Sequence, residues 1–203
     1  MKHLELLRWI ARQRGARSFL EIGCGPTPCW PRMPVAVAIG VDPYEGGTVV
    51  ARSEDYWHAT KQHFDLVFID GDHTCEAVLT DVLNALDHLN EGGAVVVHDV
   101  LPVHIEETRQ LEPNHDYLGD GWRVIASLAR HPALDVAVGN IDYGCAVILP
   151  RQDKPGGVYQ TPSIRSWTWE QYEAQLRGVV PLFRVLEEGE FLRWISARSA
   201  SLV

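Results

Sequence analysis

Four short apolar runs constrain this chain most, because each stops abruptly at glycine or at acid. Ser18 to Ile22 runs into Gly23-Cys24-Gly25, and Val35 to Val41 closes on Asp42-Pro43. Phe64 to Ile69 (FDLVFI) ends at Asp70, and Ala94 to Val97 ends at His98-Asp99. Runs of this length, rich in valine, isoleucine and phenylalanine, have the signature of buried strands. Between the last two, residues 75–89 set Val78, Val82, Leu86 and Leu89 along one helical face before Asn90-Glu91-Gly92-Gly93 breaks the chain. Strands alternating with a helix of that length imply parallel pairing with crossover connections.

The flanks extend this pattern. Residues 3–14 carry Leu4, Leu7 and Ile10 at helical spacing, with Gly15 as a stop. Gly47 to Ala51 reads as a short third strand. Pro26, Pro28, Pro31 and Pro34 forbid a helix between the first two strands. Asp120 is placed to cap a helix over 121–130. Leu134 to Val138 and Cys145 to Leu149 flank a connection too short for a crossover, so these two strands pair antiparallel. Thr168 and Gln171 form a capping box for a C-terminal helix. The expected fold is α/β: a Rossmann-like, mostly parallel sheet with a C-terminal antiparallel strand pair, in three α/β/α layers. One domain is expected over 1–203, with its core at about 18–150 and a helical tail at about 166–197.

Charge narrows the partners. The chain carries 27 acidic and 18 basic residues, a net charge of −9, which repels phosphate backbones and disfavours nucleic acid. Arg8, Arg12, Arg14 and Arg17 read as a solvated helix face. Cys24, Cys29, Cys75 and Cys145 have no CxxC spacing and read as reduced thiols of a cytoplasmic protein. The N-terminal residues interrupt their apolar positions with charge, unlike a signal peptide, and no apolar run is long enough for a membrane span.

The ends of the strands carry the chemistry. Glycines after the first strand let bare backbone approach a ligand, and ligands of open α/β sheets bind at the carboxyl ends of strands. Asp42, ending the second strand, is placed to accept hydrogen bonds from both hydroxyls of a ribose. A dinucleotide fingerprint requires a third glycine opening a helix; here Pro28 stands at that position and the prolines remove the helix. A nucleoside without phosphate fits better. S-adenosylmethionine is such a ligand, and its sulfonium suits the neighbourhood of Glu21 and Asp70.

Glu21-Ile22-Gly23-Cys24-Gly25-Pro26, Gly40-Val41-Asp42-Pro43, the segment 64–74 (FDLVFIDGDHT) and the segment 92–100 (GGAVVVHDV) together resemble class I S-adenosylmethionine-dependent methyltransferases. The resemblance is to small bacterial members with IDGxHT and HD strand ends. It covers about residues 18–150, with Asp120-Gly121-Trp122-Arg123 and Asp142-Tyr143-Gly144 as further pieces. It implies that Gly23 and Gly25 line the methionine portion beside Glu21 and Cys24, that Asp42 takes the ribose, and that Ser53 and Glu54 lie near the adenine. The family's helix after the glycine turn is replaced here by the proline-rich link.

Asp70, Asp72, His73, His98 and Asp99 end neighbouring strands and should share one cleft, since paired strands lie about 4.8 Å apart. In methyl transfer such a cleft aligns the acceptor and removes its proton. His73 or His98 is the expected base, and Asp70 orients the acceptor or the cofactor amine. Asp70 and Asp99 also offer hard oxygen ligands for Mg²⁺. The irregular loop 100–118, with His104, Glu106, Glu107, His115, Asp116 and Tyr117, is placed to close over the site. Trp167, Trp169, Tyr172, Leu176 and Phe183 read as packing residues, against the domain or against a second copy in a homodimer. The expected function is methyl transfer to an oxygen or nitrogen of a small polar metabolite, such as a sugar or secondary-metabolite hydroxyl. The alternatives are an inactive protein of the same fold, a metal-dependent hydrolase using the same acids and histidines, and a nicotinamide oxidoreductase, which Pro28 disfavours.

Overall fold

The computed structural model describes residues 1–109, 116–151 and 164–199. Its strands are β1 (Ser18–Ile22), β2 (Val37–Asp42), β3 (Val49–Val50), β4 (Phe64–Ile69), β5 (Leu89–Val97), β6 (Leu134–Gly139), β7 (Cys145–Pro150) and β8 (Val185–Leu186). Its helices are α1 (His3–Arg14), α2 (Ser53–Ala59), α3 (Cys75–Asp87), α4 (Trp122–Leu128), α5 (Trp169–Leu176) and α6 (Glu188–Ser199). The strands form one sheet in the order β3-β2-β1-β4-β5-β7-β6-β8. Pairing is parallel from β3 to β5; β7 then runs antiparallel to both β5 and β6. The Rossmann-like sheet with its antiparallel pair is therefore present.

Alternation along each strand splits the core between two faces. Leu20, Ile22, Val67, Ile69, Val95 and Val97 pack beneath α2, α3, α4 and α5. Phe19, Leu66, Phe68, Ala94 and Val96 pack against α1 and α6. The capping box at Thr168 forms as expected, its hydroxyl accepting from Gln171 N. Tyr172 and Phe183 are buried as packing residues, whereas Leu176 is exposed.

Several boundaries differ from the sequence reading. The Asn90–Gly93 stretch does not break the chain: β5 begins at Leu89 and absorbs those residues as an irregularity opposite Phe64 and Leu66. Helix α2 and strand β8, the latter parallel to β6, had no clear periodicity because they are short and tertiary contacts decide them. Asp120 does not cap its own helix. Its carboxylate accepts from Cys75 N at 2.7 Å and caps α3 across the fold, while Gly121 stands at the start of α4. Among the described residues, no helix is long and apolar enough to cross a membrane.

Candidate active site

The glycine turn after β1 has backbone requirements that explain its composition. Gly23 adopts φ +81°, and a Cβ there would overlap Gly71 and the Asp70 carbonyl, so the turns after β1 and β4 touch through bare backbone. The proline-rich link continues on the α1 face as a packed cover with one 3₁₀ turn at Trp30–Arg32. Glu21 fastens it. Its buried carboxylate accepts from Cys29 N at 2.9 Å and Trp30 N at 2.8 Å. Burial outweighs those donors and pushes the Glu21 carboxyl up to about 7. Glu21 therefore turns to the link rather than to the cleft.

Asp42 is committed in the same way. Oδ2 accepts from Cys24 N at 2.9 Å and Gly25 N at 3.1 Å; Oδ1 accepts from Tyr44 N at 2.8 Å and Glu45 N at 3.0 Å. Burial alone would raise its pKa, but the four N–H donors outweigh that and hold it below the ordinary carboxylate range. The segment 43–47 folds back so closely that a Cβ on Gly46 would overlap the Gly25 carbonyl, and Trp30 Nε1 donates to the Gly46 carbonyl at 2.7 Å. In this conformation the chain's own backbone fills the ribose seat expected at Asp42. Ser53 opens α2 and hydrogen-bonds the buried Asp81, which also accepts from Trp57 Nε1 at 3.0 Å; Glu54 is exposed on the same turn.

The second constellation does assemble. Asp70 and His98 follow β4 and β5 directly, and β4–β5 pairing sets Ile69 opposite Val97. His98 Nδ1 lies 3.0 Å from Asp70 Oδ1 and 3.2 Å from Asp99 Oδ1. His73 Nδ1 faces the Tyr117 carbonyl at 3.1 Å and Asp99 Oδ2 at 3.5 Å, and its Nε2 is 3.7 Å from Asp70 Oδ1. Asp72 turns away, its carboxylate accepting from Thr74 N at the start of α3. Asp99 holds φ +55°, an uncommon conformation for a residue with a side chain and one that concentrates at functional sites.

The acidic neighbours of His98 set its charge. Burial disfavours a charge on His98, but Asp70 first, then Asp99 and Asp142, outweigh it and raise its pKa to about 9. At neutral pH it is an imidazolium. Burial raises Asp99, assisted by Asp70 and opposed by His98 and His73. Asp70, His73 and Asp99 each place a ligand atom within 4.8 Å of the others, a donor set that fits one divalent ion. His73 is the member that sequence reasoning had not assigned to metal. The cleft they share with Leu118 and Gly121 holds only about 10 Å³, room for roughly one water or ion. A larger cleft of about 510 Å³, lined by Leu134, Arg151, Phe183 and Trp194, lies at the opposite edge of the sheet, away from these groups.

Tyr117 and Leu118 from the proposed lid lie over this cleft, the Tyr117 ring stacking on His73 at 5.7 Å. His115 falls outside the described residues. Sequence reasoning missed two neighbours: Asp142, in the turn between β6 and β7, and His3, at the start of α1. Asp142 stood within the resembling Asp-Tyr-Gly fragment; His3 gave no signal beyond its place near a helix start.

The sheet architecture agrees with the comparisons. Residues 38–100, from β2 to just past β5, match the methyltransferase domain family. The fold is shared with an O-methyltransferase, so described, from Klebsiella pneumoniae (14% identity, TM-score 0.56, 73% of this chain and 79% of that one). The chain has the class I methyltransferase fold. TomG, an O-methyltransferase from Streptomyces achromogenes solved with S-adenosylmethionine, shares it at 20% identity and TM-score 0.52, covering 73% of this chain and 79% of that one. So does MycE, a methyltransferase of mycinamycin biosynthesis solved with magnesium and S-adenosylhomocysteine, at 18% identity and TM-score 0.51, covering 77% of this chain and 51% of that one. A search of curated proteins finds no significant match. Gly23, Asp70, His73, His98 and Asp99 stand together past the carboxyl ends of β1, β4 and β5.

Proposed function

We propose that this chain is an S-adenosylmethionine-dependent methyltransferase acting on an oxygen of a small polar metabolite, a sugar or secondary-metabolite hydroxyl being the leading acceptor. The observation that carries the proposal is the cluster of Asp70, His73, His98 and Asp99 one turn from the Gly23 backbone, in a fold shared with methyltransferases. The bare backbone at Gly23 and Gly25 suits the methionine portion. Asp42 suits the ribose if Oδ1 exchanges the N–H groups of Tyr44 and Glu45 for two hydroxyls, while Oδ2 keeps Cys24 and Gly25. Binding therefore requires segment 43–47 to lift from the glycine turn. When bound, S-adenosylmethionine supplies an electrophilic methyl group; the chain's own residues position the acceptor and take its proton.

His98, already protonated at neutral pH, is a poor base and instead holds Asp70 and Asp99 in place. His73 is the better base. If its Nδ1–H donates to the Tyr117 carbonyl, Nε2 keeps its lone pair toward the cleft beside Asp70. Asp70 and Asp99, with His73, would alternatively be the residues to hold a divalent ion; His73 would then be a ligand instead of the base, and the ion would acidify an acceptor hydroxyl. A mixed nitrogen and oxygen donor set suits a transition ion at least as well as Mg²⁺. The acceptor is proposed to enter as Tyr117 and Leu118 move aside, because the present cleft is too small for a metabolite.

The test is release of S-adenosylhomocysteine during incubation with a panel of hydroxyl-bearing metabolites. His73→Ala is expected to lower turnover by about 10²–10⁴ while leaving affinity for S-adenosylhomocysteine within about twofold. Equal turnover of the variant and the parent would remove His73 from the chemistry.

A further inference from the structure

A second set of side chains meets on the other side of His98. His3 is the first residue of α1, Asp142 sits in the turn between β6 and β7, and His98 follows β5. Three elements distant in sequence thus deliver two imidazoles and a carboxylate to one point. His3 Nδ1 lies 2.7 Å from Asp142 Oδ2, and His98 Nε2 lies 3.9 Å from the same oxygen. The two imidazole rings meet edge to face at 4.6 Å.

One observation points to a guest. The His98 side chain is only 8% exposed, yet Nε2, aimed into this set, has no hydrogen-bond partner among the described residues. A buried nitrogen without a partner is costly, and 3.9 Å is too long for Asp142 to supply one. Asp142 is 5% exposed at its side chain, and its Oδ2, which also accepts from His3 N at 3.1 Å, faces both imidazoles.

We propose that His3, His98 and Asp142 form a binding site for a divalent transition-metal ion of the zinc class. Two imidazoles and one carboxylate make a nitrogen-rich donor set with a position left for water, which such ions favour over Mg²⁺ or Ca²⁺. All three ligand atoms lie within 4.8 Å of one another. A tetrahedral ion with bonds of about 2.0–2.1 Å needs its ligand atoms roughly 3.3 Å apart. The observed 2.7 and 3.9 Å fall on either side of that spacing, so small ring rotations suffice. His98 is already oriented from behind, since its Nδ1 faces Asp70 Oδ1 at 3.0 Å, and the ion takes the place of the Nε2 proton of the imidazolium, which is released to solvent on binding. A carboxylate holding one ring nitrogen so that the other meets a metal is the usual support of a histidine ligand. Lys2 Nζ, 2.7 Å from Asp142 Oδ1, is the nearest competing cation, but its side chain is 76% exposed and free to swing away. This site differs from the Asp70, His73 and Asp99 set, and it does not depend on the chain being a methyltransferase.

The experiment is calorimetric titration of the chelator-stripped full chain with Zn²⁺, paralleled by Co²⁺ titration followed by visible absorption. The variants are His3→Ala, Asp142→Asn and His73→Ala, each checked for its circular dichroism and melting temperature. Asn tolerates the left-handed backbone at position 142, so Asp142→Asn tests the ligand without disturbing the turn. The wild-type chain is expected to bind Zn²⁺. His3→Ala and Asp142→Asn should each weaken one equivalent of that binding at least tenfold and alter the Co²⁺ spectrum, while His73→Ala, which removes a ligand of the other set, retains the equivalent that those two variants lose. The proposal is overturned if the wild type takes up no Zn²⁺, or if folded His3→Ala and Asp142→Asn proteins bind it as the wild type does. It is overturned equally if His73→Ala removes that same equivalent, which would place it at the β4 and β5 ends instead.

Discussion

Replacing Asp42 by alanine separates its two roles, because the carboxylate serves four backbone donors before it meets any ligand. Cys24 N is buried and would lose the Asp42 carboxylate as its acceptor, at a cost of about 1–3 kcal/mol for an unsatisfied buried donor. Gly25 N, Tyr44 N and Glu45 N are partly reached by solvent, so their lost bonds are worth roughly 0.5–1 kcal/mol each. Together these come to about 2.5–6 kcal/mol, a large share of the ~5–15 kcal/mol that holds a domain folded. Urea denaturation followed by tryptophan fluorescence measures it. With a slope of roughly 2–3 kcal/mol/M, the midpoint should fall by more than about 1 M without a change of slope. A midpoint shift worth less than about 0.5 kcal/mol would refute the inference that Asp42 staples the glycine turn to the segment 43–47. Asp42 would then be held in place by other contacts and available to a ligand without cost to the fold.

Two further outcomes follow from the same structure. The Glu21 carboxyl, raised to about 7 against an ordinary value near 4.5, keeps its proton in the folded chain through a range where the unfolded chain has lost it. Stability should therefore decline as pH rises from about 4.5 to about 7, by on the order of 3 kcal/mol. Glu21→Gln should flatten that slope, and an unchanged slope would mean that the Cys29 and Trp30 N–H donors keep Glu21 ionised. Asp120→Ala should cost about 1 kcal/mol in thermal or urea unfolding through loss of the α3 cap. No loss of stability would mean that Cys75 N finds water instead.

The sheet was legible because its strands carry their own signals. Apolar runs ending in Asp42, Asp70 and His98-Asp99 announced both the β1–β5 core and the edge where polar groups gather, and the short link before Cys145 announced the antiparallel pair. Strands β3 and β8, at two residues each, and the seven-residue α2 had too little periodicity to be read with confidence in their bounds. At the site, the neighbours Asp70, His73, His98 and Asp99 followed from strand adjacency alone. Which lone pairs remain free did not. Asp42 and Glu21 were read as ligand contacts, but local backbone donors reach them first, and only the path of the segments 26–34 and 43–47 reveals that. Asp120 shows the same limit: a good cap residue was recognised, but the helix it caps lies across the fold. His3 and Asp142 are brought to His98 by the packing of α1 on the sheet and by a strained turn, neither of which leaves a pattern in the sequence.

On the proposed function, the turn after β1 and the ends of β2 and β4 receive S-adenosylmethionine once the segment 43–47 moves aside. Calorimetric titration of the full chain with S-adenosylhomocysteine tests it most directly. The account predicts saturable binding with one site per chain, weakened when Asp42 becomes asparagine in a protein that remains folded. Absence of any binding heat across a range of temperatures, with competing thermal-shift measurements equally flat, would contradict it and leave a methyltransferase fold that takes no methyl donor.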